Sequence, residues 1–345
     1  SIHPKPPLAV FKNFGTAQIK LPGLEIEFVG ARKESYRPDS RKPSVLAGTI
    51  EDDQNRRDFT INAIAYDPLH VKLVDKHGGV DDIARRLIVT VGNAEARFAE
   101  DALRMLRAIR IATELDFTID SATMMGIAAN ADALGKISHE RIRDELIRII
   151  MSPRPLQAMY MAQKLGLLKY IIPELEEGIG CEQNQAHSFD VFEHLLRALQ
   201  HAADKQWPLE VRLAALLHDI GKPRTREHSE EKGDWTFHGH EVVSAKMAKK
   251  ILTELRFPSE TVEKICILVR WHMFFSDTEI VTLAAVRRLI ARVGVDNIGD
   301  LVNLRVCDRI GTGRPKEHPF RLRKYMSMID EAMRDPVSEI GRAHV

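Results

Sequence analysis

Histidines and aspartates recur through the second half of the chain in an order that could hold metal ions. His194 closes the string His187-Ser188-Phe189-Asp190-Val191-Phe192-Glu193-His194. His218-Asp219-Ile220-Gly221-Lys222 follows, then His238-Gly239-His240, Trp271-His272 and Asp308. A lone histidine is more often a core or surface residue than a ligand, but the chain has 14 and many cluster here, beside carboxylates. Imidazole and carboxylate donors suit Mn²⁺, Fe²⁺, Ni²⁺ or Mg²⁺ rather than a thiolate-built zinc site. Adjacent His218 and Asp219 would give two ligands from one turn. Further ligands must come from distant helices, so the ion would also staple them together. Two stretches nearer the start could handle nucleotides. Arg56-Arg57-Asp58-Phe59-Thr60-Ile61-Asn62-Ala63 sets guanidiniums, suited to phosphates, beside Asp58 and Asn62, suited to ribose hydroxyls. Glu100-Asp101-Ala102-Leu103-Arg104 spaces Asp101 and Arg104 three apart, which is one face of a helix. There the carboxylate would accept from an exocyclic amino group while the guanidinium donates to the neighbouring ring nitrogen. Adenine and cytosine present that edge; guanine and uracil present the reverse polarity. A solvated surface cluster and an exposed ion pair also account for these two stretches taken singly.

The elements that must position these groups change character along the chain. Residues 16–32 alternate, with Ile19, Leu21, Leu24, Ile26 and Phe28 on one face against Glu25 and Glu27, and Pro22-Gly23 as the turn of a β-hairpin. Residues 33–58 are polar without a sustained period and read as loop. Short strands are expected over 59–65 and 71–74, and Gly78-Gly79 closes the strand region. From about residue 93 the period is helical, with Leu103, Leu106, Ile109 and Ala112 as the apolar stripe. Asp120-Ser121 caps a second helix, and Ser138 opens a third that runs through Ile149 to Pro153 and Pro155. Everything beyond about residue 156 reads as helical. The expected architecture is a small mixed sheet followed by two helical units.

Composition bounds the partners. Fifty Lys and Arg against 49 Asp and Glu leave a formal charge of +1, so any polyanion must be held by local clusters rather than a global field. Three separated cysteines, Cys181, Cys266 and Cys307, support neither a disulfide framework nor a zinc ribbon and suit a cytoplasmic location. No apolar run is long enough for a membrane-spanning helix. Both ends read as cut. Ser1 leads into Pro4, Pro6 and Pro7, and the last six residues, Ile340-Gly341-Arg342-Ala343-His344-Val345, match a reading frame of a common sequencing adapter.

Taken in order, the strings RRDFTINA and EDALRMLRAIR, with Asp81-Asp82 and Arg86 between them and Ser138-His139-Glu140-Arg141-Ile142-Arg143 after, resemble the class II CCA-adding tRNA nucleotidyltransferase and bacterial poly(A) polymerase family over residues 11–170. Residues 181–315 resemble the HD-domain metal-dependent phosphohydrolase superfamily. The resemblances imply an α+β fold: a partial polymerase-beta-like nucleotidyltransferase head with a small sheet (1–92), an all-α neck (93–180), an all-α HD domain (181–315) and a tail (316–345). They assign Arg57 and Asp58 to ribose discrimination, with Asn62 in the nucleotide site. Asp101 and Arg104 take the base edge, Glu100 and Arg107 supporting places, and Ser138, Glu140 and Arg141 the neck motif. His194, His218, Asp219 and Asp308 match the metal ligands. His240 and His272 would serve a second metal or a phosphate, and Lys222 and Arg305 the phosphate. The implied substrates are ATP, CTP and a tRNA 3′ end, with Mg²⁺ in the head and Mn²⁺, Ni²⁺ or Mg²⁺ in the HD domain. One departure is expected to matter. The family's Gly-Gly-x-x-Arg-Asp turn and Asp-x-Asp pair do not occur here, leaving Glu27 as the head carboxylate, so transfer chemistry is expected of the parent rather than of these 345 residues. An HD phosphohydrolase with an RNA-binding head, and a non-catalytic RNA-binding scaffold, are the alternatives.

Overall fold

The computed structural model describes residues 8–11, 16–37, 40–184, 188–275, 281–314 and 316–334, with the backbone alone over 32–45. Pro4, Pro6 and Pro7, Phe14-Gly15, His187 and the last six residues lie outside the described residues. The strands are β1 (Leu8–Phe11), β2 (Thr16–Leu21), β3 (Leu24–Val29), β4 (Arg32–Arg37), β5 (Ser40–Ala47), β6 (Ala65–Asp67), β7 (Lys72–Val74), β8 (Leu87–Ile88), β9 (Thr118–Ile119), β10 (Glu227–Ser229) and β11 (Asp234–Thr236). The first seven helices are α1 (Ile50–Asn55), α2 (Gly79–Arg85), α3 (Ala94–Glu100), α4 (Leu103–Leu115), α5 (Ser121–Asn130), α6 (His139–Met151) and α7 (Pro155–Lys164). The others are α8 (Val191–Asp204), α9 (Leu209–Leu217), α10 (His240–Glu254), α11 (Ser259–Trp271), α12 (Leu283–Val293), α13 (Ile298–Gly311) and α14 (Phe320–Arg334). The α+β class stands. The chain divides into two compact units, residues 1–104 with 117–130, and residues 105–116 with 131–345.

In the first unit the hairpin forms as expected. Ile19 pairs with Ile26 and Leu21 with Leu24, and Gly23 takes the left-handed turn position at φ +74°. The 33–58 stretch departs from the loop reading. β4 and β5 pair antiparallel, and α1 opens with a reciprocal capping box between Thr49 and Asp52. Polar strands carry no apolar alternation, so the periodicity argument passes over them. Of residues 59–65, Thr60–Asn62 form a 3₁₀ turn, and the strand pairing sits at Ala65–Asp67 against Lys72–Val74. Strand structure also outlasts Gly78-Gly79: β8 pairs parallel with β9. Phe59, Ile88, Phe98 and Ile127 are fully buried in this unit.

The second unit is helical apart from the β10–β11 ribbon, a local exception to the all-α reading. Leu106, Ile109 and Ala112 are buried on α4, as the stripe requires. α8 packs on α9 and α13, and α11 packs on α9 and α10. Leu195, Leu199, Leu213, Leu216 and Leu304 fill the space between them. This bundle carries every histidine of the candidate centre.

Candidate metal centre and nucleotide-binding residues

Four elements of the second unit converge on His218 and Asp219, which follow α9 directly. His194 comes from α8, whose N-cap Asp190 accepts from Glu193 N at 2.8 Å and from Gly180 N at 2.8 Å. His240 starts α10, His272 ends α11, and Asp308 lies on α13. Two glycines allow the approach. A Cβ on Gly311 would stand 2.8 Å from His194 O and 2.9 Å from its Nδ1, so only glycine lets α13 close on α8. Likewise a Cβ on Gly221 would meet Ser244 N at 2.7 Å, and the Gly221 N–H donates to Ser244 Oγ at 2.9 Å.

The donor atoms form two sets that share Asp219. On one side, Asp219 Oδ2 lies 3.1 Å from His194 Nε2 and 3.3 Å from His218 Nε2, while Asp308 Oδ1 is 3.6 and 3.7 Å from the same nitrogens. On the other, Asp219 Oδ1 lies 3.1 Å from His240 Nε2 and 3.3 Å from His272 Nε2. Carbonyl oxygens fix the tautomers. Nδ1 of His218, His240 and His272 donates to Ala215 O, Phe237 O and Val269 O at 2.7–2.9 Å, turning each Nε2 inward. Asp219 Oδ1, His240 Nε2 and His272 Nε2 are buried acceptors that find no hydrogen-bond donor among the described residues. Acceptors facing acceptors in a dry site are costly unless a cation lies among them, so the residues fit a metal.

The charges are set by competition between burial and neighbours. Burial would raise Asp219, but Lys222 and His218 hold its carboxyl well below the usual range. Burial would also raise Asp308, yet the His218 hydrogen bond and Arg305 hold it well below as well. Burial pushes His218 down, and Asp219 and Asp308 outweigh it, lifting the imidazole to about 9. For His272 burial wins, to about 4, and it also lowers His194. Lys222 Nζ donates to Asp219 Oδ2 and to Gln183 Oε1, both at 2.6 Å, and Arg305 Nη1 donates to Asp308 Oδ2 at 2.8 Å. Both cations thus rest on ligand carboxylates. Sequence reading missed Gln183, which accepts from Lys222, and the close packing that Gly221 and Gly311 allow.

The nucleotide candidates of the first unit also come together, with one correction. Asp101 and Arg104 do not share a helical face. The chain leaves α3 at Glu100, Asp101 is extended at φ −151° and ψ 103°, and its Oδ1 accepts from Leu103 N at 3.2 Å as α4 begins. A carboxylate three residues ahead of Arg104 suits a cap as well as a turn, and spacing alone does not separate the two. Arg104 is buried, donating to Glu100 Oε2 at 2.6 Å, Arg97 O at 3.1 Å and Arg56 O at 3.1 Å. It thereby joins the two nucleotide stretches. Asp58 is buried, its Oδ1 accepting from Phe59 N at 2.9 Å and Asn62 Nδ2 at 3.1 Å, and Arg57 pairs with Asp53 at 2.8 Å. Glu27 is exposed on β3 opposite Gln18, and no hydrogen bond or ion pair among the described residues ties it to this cluster. In the second unit, Arg107 Nη1 lies 3.8 Å from Glu145, and Ser138 N-caps α6 without a side-chain bond. Glu140 and Arg141 are exposed.

Comparison with known proteins matches three regions of the chain. Residues 5–89 match the "Poly A polymerase head domain", 116–179 the "Probable RNA and SrmB- binding site of polymerase A", and 191–332 the "HD domain". The chain is 36% identical over 295 residues to the A-adding tRNA nucleotidyltransferase of Deinococcus radiodurans, covering 84% of this chain and 66% of that one. It is 34% identical over 321 residues to the CC-adding tRNA nucleotidyltransferase of Thermus thermophilus, covering 90% and 69%. Among solved structures, the Bacillus stearothermophilus CCA-adding enzyme in complex with CTP superposes with a TM-score of 0.64 at 26% identity, over 92% of this chain and 68% of that one. The chain thus spans about two thirds of the length of these relatives. No described helix is long and apolar enough to cross a membrane.

Proposed function

Because this chain belongs to the CCA-adding tRNA nucleotidyltransferase family, we propose that it processes tRNA 3′ ends, binding ATP and CTP in its head and hydrolysing phosphoesters at the His/Asp centre. The observation that carries the second half is Asp219, whose two oxygens each face a separate set of donors. His194, His218, Asp219 and Asp308 would hold one divalent ion, such as Mn²⁺, Ni²⁺ or Mg²⁺, and Asp219, His240 and His272 a second. Such an ion, when bound, supplies a more acidic water and polarises a phosphoryl oxygen. The protein's own part is to turn the ligand nitrogens inward and to keep Lys222 and Arg305 beside the carboxylates, where each can turn to a phosphate oxygen. With a 2′,3′-cyclic phosphate, water adds to phosphorus, one ring P–O bond breaks, and the water's proton ends on the released ribose oxygen. A phosphomonoester left at the end of the strand is the product.

Arg57, Asp58 and Asn62 of the head are assigned to the phosphate and ribose, and Asp101 and Arg104 of the neck to the base edge. Glu100 orients Arg104, and Arg107 is given a supporting place, as are Ser138, Glu140 and Arg141 of the neck. No Asp-x-Asp pair occurs in the 345 residues and Glu27 stands apart, so the residues present do not fit a two-magnesium site and no transfer step is derived through one.

Two measurements test the reading. Calorimetric titration is expected to show ATP and CTP binding more tightly than GTP and UTP, with Asp101→Asn eroding the preference while keeping an acceptor for Leu103 N. Equal affinity for all four overturns the head assignment. With Mn²⁺, Ni²⁺, Co²⁺ or Mg²⁺, a 2′,3′-cyclic nucleotide should be hydrolysed, and Asp219→Asn should remove both metal and turnover. His240→Ala should lower turnover more than first-site metal content. Inactivity with the ion demonstrably bound makes the centre a structural staple instead.

A further inference from the structure

Lys222 rests on an oxygen that a metal ion would need. Its Nζ donates to Asp219 Oδ2 at 2.6 Å, and the same oxygen lies 3.1 Å from His194 Nε2 and 3.3 Å from His218 Nε2 in the four-residue donor set. A divalent ion taken up by that set shares Asp219 Oδ2 and repels the ammonium beside it. Lys222 is only 5% exposed, so its charge has no easy retreat into water. A buried ammonium that loses its acceptor is costly unless another acceptor is at hand. That second acceptor is Gln183 Oε1, also 2.6 Å from Nζ, with the Phe237 ring centre 5.5 Å away.

The surroundings of Gln183 suit that part. The residue is buried, and its Nε2 donates to Phe189 O at 3.1 Å, which leaves Oε1 facing Lys222. Both segments that carry the pair are pinned to each other. Arg224 Nε donates to Glu177 Oε2 at 2.8 Å and its Nη2 to Oε1 at 2.6 Å, while Arg226 Nη2 lies 3.6 Å from Glu182 Oε2. Residues 222, 224 and 226 thus each meet a partner within residues 177–183. The backbones are fixed and the four-carbon lysine stem remains the movable part. We infer that Gln183 is a positioning residue of the centre. It holds the Lys222 ammonium when Asp219 Oδ2 is given over to a divalent ion, and so sets how tightly the four-residue set binds that ion. The inference rests on the proposed metal centre and concerns its loading, whichever ester is hydrolysed there.

The test reads metal affinity and needs no turnover. Mn²⁺ binding to the full chain is measured by calorimetry with His240→Ala in every sample, which disables the second donor set. Gln183→Met keeps the side-chain length without the acceptor and should weaken Mn²⁺ binding about tenfold, the worth of one hydrogen bond to a charged group. Gln183→Glu gives Lys222 a stronger acceptor but loses the donor to Phe189 O, and it should tighten Mn²⁺ binding. A purely structural Gln183 weakens binding in both variants, since each loses the bond to Phe189 O. Lys222→Met supplies the second control: in that chain Gln183→Met should change Mn²⁺ affinity by less than about twofold, because the group it positions is gone. Circular dichroism confirms helical content throughout. Weaker binding in both Gln183 variants, or a Gln183→Met effect that survives in the Lys222→Met chain, overturns the inference and keeps the metal centre. Failure of the chain with Gln183 and Lys222 intact to bind Mn²⁺ overturns the centre and the inference together.

Discussion

His218 governs how the centre answers to pH. Its imidazole is lifted to about 9 because the Asp219 and Asp308 carboxylates outweigh burial, whereas His272 is already neutral above about 4. In the metal-free protein this raised group contributes stability that is complete below its unfolded value of about 6.5 and is lost as pH climbs through about 9. A ligating imidazole must be neutral, so each ion bound between those values displaces about one proton. Mn²⁺ affinity should therefore rise about tenfold per pH unit from 6.5 towards 9 and then level off. Calorimetry in two buffers of different ionisation enthalpy counts the proton, and a pH-independent affinity from 6.5 to 8.5 contradicts the assignment. The candidate ligands, which the fold brings together, were legible because histidine and aspartate carry their chemistry wherever they stand, and their order survives any spacing. Gly311 was not. Its contribution is the missing Cβ that lets α13 approach His194, and a glycine near a helix end reads as a simple terminator.

Helices α4 and α6 are tied by a buried clamp. Arg110 Nε donates to Glu145 Oε2 at 2.7 Å, and Arg110 Nη1 donates to Glu114 at 2.8 Å. Glu145→Leu leaves a buried guanidinium with Glu114 alone, and the second unit should lose about 2–3 kcal/mol, somewhat under the cost of stranding a buried charge outright. Arg110→Met added to it should recover most of that loss, because burying an apolar pair costs no desolvated charge. Urea unfolding followed by helical circular dichroism measures both; an unchanged midpoint for Glu145→Leu would show the pair to be idle. Elements with a strong period were readable in the sequence. The α4 stripe, the α5 cap at Asp120 and the β2–β3 hairpin stand where residue alternation puts them. The polar hairpin β4–β5 was hidden for want of an apolar face. The break between α3 and α4 was hidden because Glu100 to Arg104 suits a continuous helix as well as a capped restart. Thr49-x-x-Asp52 was the overlooked signal for α1.

At the scale of the whole molecule the chain divides into two compact units, and every described donor of the His/Asp centre lies in the second. Metal should therefore act on one unit only. Scanning calorimetry is expected to resolve two transitions, and Mn²⁺ at about 100 times its Kd should stabilise one by about 2.7 kcal/mol while leaving the other in place. A shift in both, or in neither, contradicts the assignment. The span of the ligand set has a further meaning during synthesis. His194, His218 and Asp219 leave the ribosome well before Asp308, and α13 brings that carboxylate together with the glycine that seats it against α8. On the proposed assignment, an ion held by these four residues would not be fully enclosed until α13 has emerged. Closure of the centre would then come late in maturation, and a nascent chain halted before residue 308 would carry the imidazoles without the carboxylate that completes the set.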